Sequence, residues 1–365
     1  MLVGTVLRSH AGGYLVCENE LGVDFQCAAR GRLKKESVSI FTGDRVELDE
    51  VNLELSTAVI SARLERENLL SRPPLANVDQ IVIVQAIHQP EWNSLWCDRH
   101  LVHFQLEVPG ASFILCFNKC DLADEDEVVA LRSIYEPLGY RVIICSARSG
   151  VGVPILAEVL AGKISVFAGP SGVGKSSLLN ALKPDLNLKV GEMKNEFGVG
   201  KHTTTSSEIY RLGKAAANAF TWVADTPGFS LSELRHPEPA NVAWMFPEIV
   251  RYSADCKFSN CLHLVEQGCN ILSNLPQIAQ ERYQSYSLLV NEAQAEQKLR
   301  QDSSTKVESK VKSVGGKAGR AKVIPRLAER YRAPSRRVEK QRLNKVDIEG
   351  DETTELDDSE DVLEG

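Results

Sequence analysis

The feature that most constrains this chain is a glycine-rich segment between an apolar run and a helical one. The apolar run at 164–168 is typical of a buried strand, and residues 177–182 favour a helix. Glycines let the backbone wrap a phosphate with its N–H groups pointing inward, and a helix N-terminus attracts the anion. The segment has the pattern G-x-x-x-x-G-K-S and predicts a P-loop: Gly169, Pro170, Ser171, Gly172, Val173, Gly174, Lys175 and Ser176.

Particular side chains of the P-loop have expected roles. Lys175 is expected to reach the β- and γ-phosphates of a nucleotide, and Ser176 to ligate Mg²⁺. Ser177 completes the predicted phosphate-binding set at the start of the helix. The alternative interpretation, a plain glycine-rich turn, does not account for the strand before the segment and the helix after it.

Further apolar runs alternate with helical segments around the P-loop. The predicted strands are 81–84, 113–117, 142–145, 164–168 and 220–224, and residues 91–107 have apolar positions at helical spacing. Continuous apolar strands separated by helices indicate a parallel sheet covered on both faces. We interpret the tryptophans of this region, including Trp92 and Trp96, as core residues rather than cofactor contacts.

Two segments that follow strands indicate which nucleotide base is bound. Residues 118–121 match the N-K-x-D element of GTPases, in which the Asp121 carboxylate accepts hydrogen bonds from two guanine N–H groups that adenine lacks. Asn344-Lys345-Val346-Asp347 also fits the pattern, but it lies in a polar tail without a preceding strand, so we interpret it as coincidence. The expected base-binding residues are Asn118, Lys119, Cys120 and Asp121, with Ser146 and Ala147 contacting guanine O6 through the backbone.

Two later segments resemble nucleotide switches. Asp225-Thr226-Pro227-Gly228 follows the strand at 220–224; Asp225 is expected to hold Mg²⁺ through water, and the Gly228 N–H to sense the γ-phosphate. Among residues 203–205 we choose Thr204 as the threonine that closes over Mg²⁺. Phe229 stands where Ras-like enzymes carry a water-orienting Gln, so His202 is a candidate replacement, the alternative being a solvated histidine. We expect slow intrinsic turnover.

The order of these elements is unusual, because N-K-C-D and S-A precede the P-loop. A Ras-like domain has them last, so the chain is a circular permutation in which Asp225 lies next to the following module. The chain closely resembles the circularly permuted ribosome small-subunit-dependent GTPase A family over residues 1 to about 295. The resemblance implies an N-terminal OB barrel, a GTPase and a zinc domain that bind the 30S subunit and its 16S rRNA late in maturation.

A cluster of cysteines and a histidine follows the sheet region. Its spacing is Cys256-x4-Cys261-x-His263-x5-Cys269, and three thiolates with one imidazole suit a closed tetrahedral zinc site. The family resemblance implies zinc at these four positions, with Mg²⁺ accompanying GTP at the P-loop. Nine scattered cysteines indicate a reducing compartment, and the other six are expected to be core or incidental residues: Cys17, Cys27, Cys97, Cys116, Cys120 and Cys145.

The predicted fold class is multidomain. Residues 1–66 contain about five short strands, typical of a small OB-type β-barrel, which either binds oligonucleotides or only packs. The circularly permuted α/β P-loop GTPase domain is expected at 72–231, a helical zinc-binding domain at 232–299, and a disordered tail at 300–365. A helical stretch is expected from about Pro276 to Leu299.

The charge of the chain is segregated. The net charge is -7, but residues 305–346 carry 14 Lys and Arg against 3 acidic residues (+11), and residues 347–365 carry 10 acidic residues and no Lys or Arg (-10). Such neighbouring blocks favour a solvated tail, whereas a basic block could also contact nucleic acid. No apolar run of about 18 residues and no signal-peptide pattern is evident, so we expect a cytoplasmic protein without a membrane anchor, monomeric, with GTP and GDP as its ligands.

Other functional classes remain as alternatives. An ATP-dependent P-loop enzyme would bind ATP as well as GTP, which Asp121 argues against. A structural RNA-binding protein with a barrel and zinc would not hydrolyse nucleotides, which the set of nucleotide elements argues against. An assembly factor and a translation factor are harder to separate from sequence.

Overall fold

The computed structural model describes residues 2–10, 12–188, 208–215, 219–225, 234, 237–304, 311–314 and 322–325. The first seven strands are β1 (Leu2–His10), β2 (Gly13–Glu18), β3 (Asp24–Ala29), β4 (Arg45–Asn52), β5 (Thr57–Arg63), β6 (Leu69–Ser71) and β7 (Pro74–Ala76). The others are β8 (Gln80–Ala86), β9 (Ser112–Asn118), β10 (Arg141–Ile144), β11 (Ile164–Ala168), β12 (Ile209–Lys214), β13 (Phe220–Asp225), β14 (Val311–Val314) and β15 (Lys322–Pro325).

The described α-helices are distributed over the whole chain. They are α1 (Gly31–Lys35), α2 (Ser94–Glu107), α3 (Glu125–Tyr135), α4 (Val153–Leu160), α5 (Lys175–Leu182), α6 (Pro239–Trp244), α7 (Pro247–Ser253), α8 (Asn270–Ser273) and α9 (Gln280–Ser304). None of these helices combines the length and the apolarity that a bilayer-crossing segment needs.

The N-terminal strands form a closed barrel in the order β1-β2-β3-β5-β4. In β3 and β4 buried and more exposed residues alternate, because successive side chains of a strand point to opposite faces. The inward residues form the barrel core, with Val6, Val16, Val46 and Ile60 fully buried and Phe25 1% exposed. The predicted five-stranded barrel is confirmed.

A six-stranded sheet follows, in the order β10-β9-β8-β11-β13-β12. Its first five strands are parallel, and β12 pairs antiparallel with β13 at the edge. Every residue of β8 is buried, as a central strand covered on both faces requires. Ile81 and Ile83 face the core beneath α2 and α3, whereas Val82 and Val84 face the core beneath α4 and α5.

Asn93 is the N-cap of helix α2, and its side-chain oxygen accepts a hydrogen bond from the Trp96 N–H at 3.2 Å. Trp222 is buried and Trp92 packs edge-on against Phe117, as predicted for core residues. The prediction for Trp96 is wrong, because 53% of its surface is exposed. Trp96 lies in the first turn of α2, on the side turned away from the sheet.

Helices α6 to α9 enclose a core of their own around Phe246, Ile249, Tyr286 and Leu289. Val102 of α2 belongs to the same core, so the helical module packs against the sheet domain. The helix predicted from about 276 to 299 begins at Gln280 and extends to Ser304, after a short 3₁₀ turn at Leu275–Gln277.

Residues 300–365 form a second unit. Within it β14 and β15 pair antiparallel, with Val311 opposite Pro325 and Val314 opposite Lys322. These two segments are rich in Val and Ile, which favour strands. Apart from them and the end of α9, the stretch predicted to be a disordered tail lies outside the described residues.

Candidate functional site

The glycine-rich segment forms the turn between β11 and α5. Gly174 has φ +95°, and a Cβ atom on it would lie 2.3 Å from Asn118 Nδ2. A Cβ on Gly169 would lie 2.1 Å from the Val84 carbonyl oxygen. The tight course of the loop over the ends of β8 and β9 therefore requires glycine at both positions.

Lys175 is folded back over the loop. Its ammonium group donates hydrogen bonds to the carbonyl oxygens of Gly169 (2.8 Å) and Pro170 (2.9 Å), and the residue is 9% exposed. These two carbonyls hold the charged end of Lys175 against the loop.

Asn118, at the end of β9, connects the P-loop to the predicted base-binding segments. Its side-chain amide donates to the Val173 carbonyl (2.8 Å), and its Oδ1 accepts from the Ala147 N–H (3.0 Å). The residue is buried, so both bonds are shielded from water. Three segments that are far apart in sequence are thereby brought together.

Lys119 and Asp121 project on the same side. Lys119, at φ +63°, donates from Nζ to the Gly172 carbonyl (2.8 Å) and to the Gln89 carbonyl. Partial burial lowers the pKa of Lys119. Asp121 Oδ1 accepts from the Ser146 hydroxyl at 2.5 Å, which fixes the carboxylate while leaving its second oxygen available.

These residues surround a cavity of about 430 Å³. Its lining consists of Gln89, Asn118, Lys119, Asp121, Leu122, Ala147, Arg148, Gly174 and Ser177. Sequence reasoning missed Gln89, Leu122 and Arg148. Arg148 directly follows Ser146-Ala147 and could have been found by that adjacency, whereas nothing in the sequence around Gln89 indicates a ligand.

The predicted magnesium ligands and switch residues are only partly within the described part of the chain. Ser176 lies in the first turn of α5, and the backbone of Asp225 ends β13, paired with Phe167 of β11. Asp225 therefore lies at the end of the strand that neighbours β11, and β11 leads into the P-loop. His202, Thr204 and Gly228 lie outside the described residues.

The Cys/His cluster lies between α7 and the start of α8. One ligand atom from each of its four residues lies within 4.8 Å of the others. His263 Nδ1 is 3.5 Å from Cys256 Sγ and 3.4 Å from Cys269 Sγ. Burial raises the pKa of Cys261 to about 12 and lowers the pKa of His263. Three sulfur atoms and one ring nitrogen at this spacing fit a single tetrahedral cation.

The loop that carries the cluster is held from within and from α9. The Glu266 carboxylate accepts backbone N–H bonds from Leu262 (2.7 Å) and Leu264 (2.8 Å). Tyr283 and Tyr286 of α9 donate to the carbonyls of His263 (2.9 Å) and Leu262 (2.8 Å). These supporting groups were not predicted, because their spacing from the cysteines follows no metal-site pattern.

Comparisons with known proteins agree with this geometry. The family model described as RsgA GTPase matches residues 63–235. A small ribosomal subunit biogenesis GTPase RsgA of Moorella thermoacetica is 39% identical over 297 residues, which are 81% of this chain and 98% of the relative. The crystal structure of YjeQ from Thermotoga maritima has a TM-score of 0.68 at 34% identity, covering 80% of this chain and 98% of that one. The crystal structure of YloQ, a circularly permuted GTPase, has a TM-score of 0.66 at 30% identity, covering 81% of this chain and 96% of that one.

The sheet, the P-loop and the order of the segments around the cavity define a circularly permuted GTPase, an enzyme that hydrolyses GTP. The permutation predicted from the sequence is thereby confirmed. Within that class, the chain belongs to the RsgA GTPase family.

Proposed function

We propose that this GTPase binds the small (30S) ribosomal subunit, contacts its 16S rRNA, assists its late maturation and hydrolyses GTP faster when bound to it. The name of the relatives, small ribosomal subunit biogenesis GTPase, supports the small subunit as the partner. The observation that carries the enzymatic part is a single cavity lined both by Asp121 of the N-K-C-D segment and by Gly174 of the P-loop. A guanine nucleotide bound there would have its base at the Asp121 end and its phosphates at the P-loop end.

For guanine recognition, we assign the free oxygen of Asp121 to the two N–H groups of the base edge. The Ala147 N–H, assigned to guanine O6, already donates to Asn118 Oδ1 at 3.0 Å. Guanine would therefore share this donor in a three-centre hydrogen bond. Cys120 contributes its backbone, whose N–H donates to the Cys145 carbonyl at 3.1 Å and holds the N-K-C-D turn against the S-A segment.

For catalysis, we assign Lys175 and the backbone of residues 169–177 to the β- and γ-phosphates. A phosphate entering the loop would replace the Gly169 and Pro170 carbonyls as the partner of the Lys175 ammonium. Ser176 and Asp225 are the residues that would hold Mg²⁺, which supplies charge neutralisation during phosphoryl transfer. Thr204 and the Gly228 N–H are assigned to closure over the γ-phosphate, and His202 to orienting the attacking water.

For the other modules, we assign one zinc ion to Cys256, Cys261, His263 and Cys269, where it would supply structural cross-linking rather than chemistry. The barrel is proposed to be of the OB type, and the division at 1–66, 72–231, 232–299 and 300–365 is proposed as the domain organisation. The protein is proposed to act as a monomer in the cytoplasm.

The zinc assignment is tested by measuring the metal content of the purified protein. We expect about one zinc per chain, lost in Cys269→Ser and retained in Cys120→Ser, which changes a cysteine outside the cluster. Equal zinc content in the two variants would exclude the assigned ligand set.

The ribosomal assignment is tested by measuring GTP hydrolysis alone, with purified 30S subunits and with 50S subunits. We expect stimulation by 30S and not by 50S subunits, and loss of hydrolysis with either in Lys175→Ala. Equal rates with both subunits would contradict the proposed partner, whereas activity retained in Lys175→Ala would contradict the P-loop assignment. His202→Ala is expected to reduce the stimulated rate, and an unchanged rate would exclude its proposed role.

A further inference from the structure

The nucleotide cavity has a central section between its base end and its phosphate end, and this section has no assigned ligand contact. If the proposed function is correct, the ribose occupies it, because the ribose joins the base to the phosphates. Lys119 marks the place: it lies two residues before Asp121 in the chain, and its ammonium group is 2.8 Å from the Gly172 carbonyl of the P-loop. Lys119 thus links the segment that carries Asp121 to the P-loop.

Gln89 is a lining residue of the cavity that contacts Lys119 directly. It follows β8 in the loop that leads to α2, has a left-handed backbone (φ +52°), and is exposed. Its carbonyl oxygen accepts a hydrogen bond from Lys119 Nζ, so the same ammonium group holds both Gly172 and Gln89. Gln89 therefore lines the cavity beside the ammonium group that also contacts the P-loop.

The other lining residues differ from Gln89 in their assigned position or in their chemistry. Asp121 is assigned to the base, Arg148 directly follows the Ser146-Ala147 segment, and Ser177 lies in the helix that follows the P-loop. Leu122 is apolar and Gly174 has no side chain. A neutral carboxamide both donates and accepts hydrogen bonds, which matches the two neighbouring hydroxyl groups of a ribose.

We propose that Gln89 is a specificity residue that binds the ribose hydroxyls of the guanine nucleotide through its carboxamide. The chain would then favour ribonucleotides over nucleotides that lack the contacted hydroxyl. Because Gln89 is exposed, water can replace part of a lost hydrogen bond, so the discrimination is expected to be about two- to tenfold.

The test is equilibrium binding of GDP, 2′-deoxy-GDP and 3′-deoxy-GDP to the full chain and to Gln89→Ala. Alanine keeps the main-chain carbonyl that binds Lys119 and removes only the carboxamide. Gln89→Asn is a second variant, because Asn tolerates left-handed φ and retains a shorter carboxamide. Arg148→Ala is the matched control in the lining of the same cavity.

We expect the natural chain to bind at least one deoxy nucleotide about two- to tenfold more weakly than GDP. In Gln89→Ala this ratio falls to near one through loss of GDP affinity, whereas in Arg148→Ala it persists even if all three nucleotides bind more weakly. Equal affinities in the natural chain, or an unchanged ratio in both Gln89 variants, would overturn the ribose assignment alone. Failure of the natural chain to bind GDP would overturn the proposed nucleotide site as well.

Discussion

Arg211 of β12 donates a hydrogen bond from Nη1 to the carbonyl oxygen of Gly22, in the β2–β3 turn of the barrel, at 2.6 Å. The same guanidinium lies 3.7 Å from Asp24 and packs over the ring of Phe220. A Cβ atom on Gly22 would lie 2.4 Å from Phe220 Cζ, so only glycine permits this approach. The barrel is thus fastened to the β12–β13 hairpin, which ends at Asp225.

We predict that Arg211→Ala weakens this attachment. The change removes a hydrogen bond from a charged donor and an ion pair, so we expect the free energy of unfolding to fall by about 1–3 kcal/mol. Urea denaturation of the full chain measures it. Arg32→Ala is the matched control, because its pair with Glu36 is exposed at 72% and 54% and is expected to contribute little. Equal destabilisation by both variants would mean that the Arg211 contacts contribute nothing specific.

A buried ion network connects the sheet domain to the helical module. Arg282 of α9, fully enclosed, pairs with Asp98 of α2 and with Glu248 of α7, the latter at 2.7 Å. Tyr135 donates a hydrogen bond to Asp98 at 3.0 Å. Coulombic attraction to the two carboxylates holds the pKa of Arg282 high despite burial.

We predict that Arg282→Met destabilises the chain by about 3–5 kcal/mol, because two carboxylates lose their buried counter-ion. Arg132→Gln is the control, since Arg132 and its partner Glu136 are 41% and 45% exposed, and about 1 kcal/mol or less is expected there. Chemical denaturation measures both. Adding Asp98→Asn and Glu248→Gln to Arg282→Met should recover part of the loss, and a further loss of similar size would contradict the electrostatic explanation.

The elements with clear periodicity could be predicted from the sequence, and those defined by distant contacts could not. The apolar runs of β8, β9 and β11 predicted the sheet, because buried parallel strands need nearly continuous apolar residues. Strand β12 was missed, because it is an edge strand with charged residues at Arg211 and Lys214.

Within the nucleotide and Cys/His sites too, residues at a regular local spacing could be predicted and residues joined by distant contacts could not. The spacing of the P-loop and of the cysteines follows from local geometry, so both clusters could be predicted. Arg282 and Asp98 are 184 residues apart, and their pairing depends on how α9 packs against α2. Gln89 reaches its cavity through the course of a loop, for which its neighbours in sequence provide no pattern.

His100 of α2 predicts a pH dependence of stability. Burial lowers its pKa to about 4, with smaller contributions from the nearby charges of His103, Lys175 and Arg99. Its Nδ1–H donates to the Trp96 carbonyl at 2.6 Å. Below its ordinary pKa the unfolded chain binds a proton that the folded chain does not, so stability falls as the pH falls from about 6.5 towards 4.

The titration of His100 should lower the free energy of unfolding by about 2 kcal/mol between pH 7 and pH 5. His100→Gln keeps an N–H donor and cannot titrate, so the pH-dependent loss should be smaller in this variant by that amount, whatever its stability at pH 7. Urea denaturation of both proteins at the two pH values measures the difference. Parallel pH profiles would show that His100 titrates normally in the folded chain.

Asp121→Asn is predicted to change the base preference of the nucleotide site. Asparagine is isosteric and keeps the oxygen that accepts the Ser146 hydroxyl at 2.5 Å. Its amide would present N–H donors to the N–H groups of guanine, so two charge-assisted hydrogen bonds are lost, each contributing about 1.5–3 kcal/mol. We expect GDP affinity to fall by about 100-fold or more. Xanthosine diphosphate, which has a carbonyl acceptor at the same base position, should bind better than GDP.

Equilibrium binding of GDP and xanthosine diphosphate to both proteins measures this exchange. Asp124→Asn is the matched control, because Asp124 lies three residues further on and caps α3 by accepting the Glu127 N–H at 2.9 Å. Asparagine is also a good N-cap, so that variant should keep the preference for GDP. Equal weakening of both nucleotides in Asp121→Asn would show that the carboxylate supports the loop without reading the base.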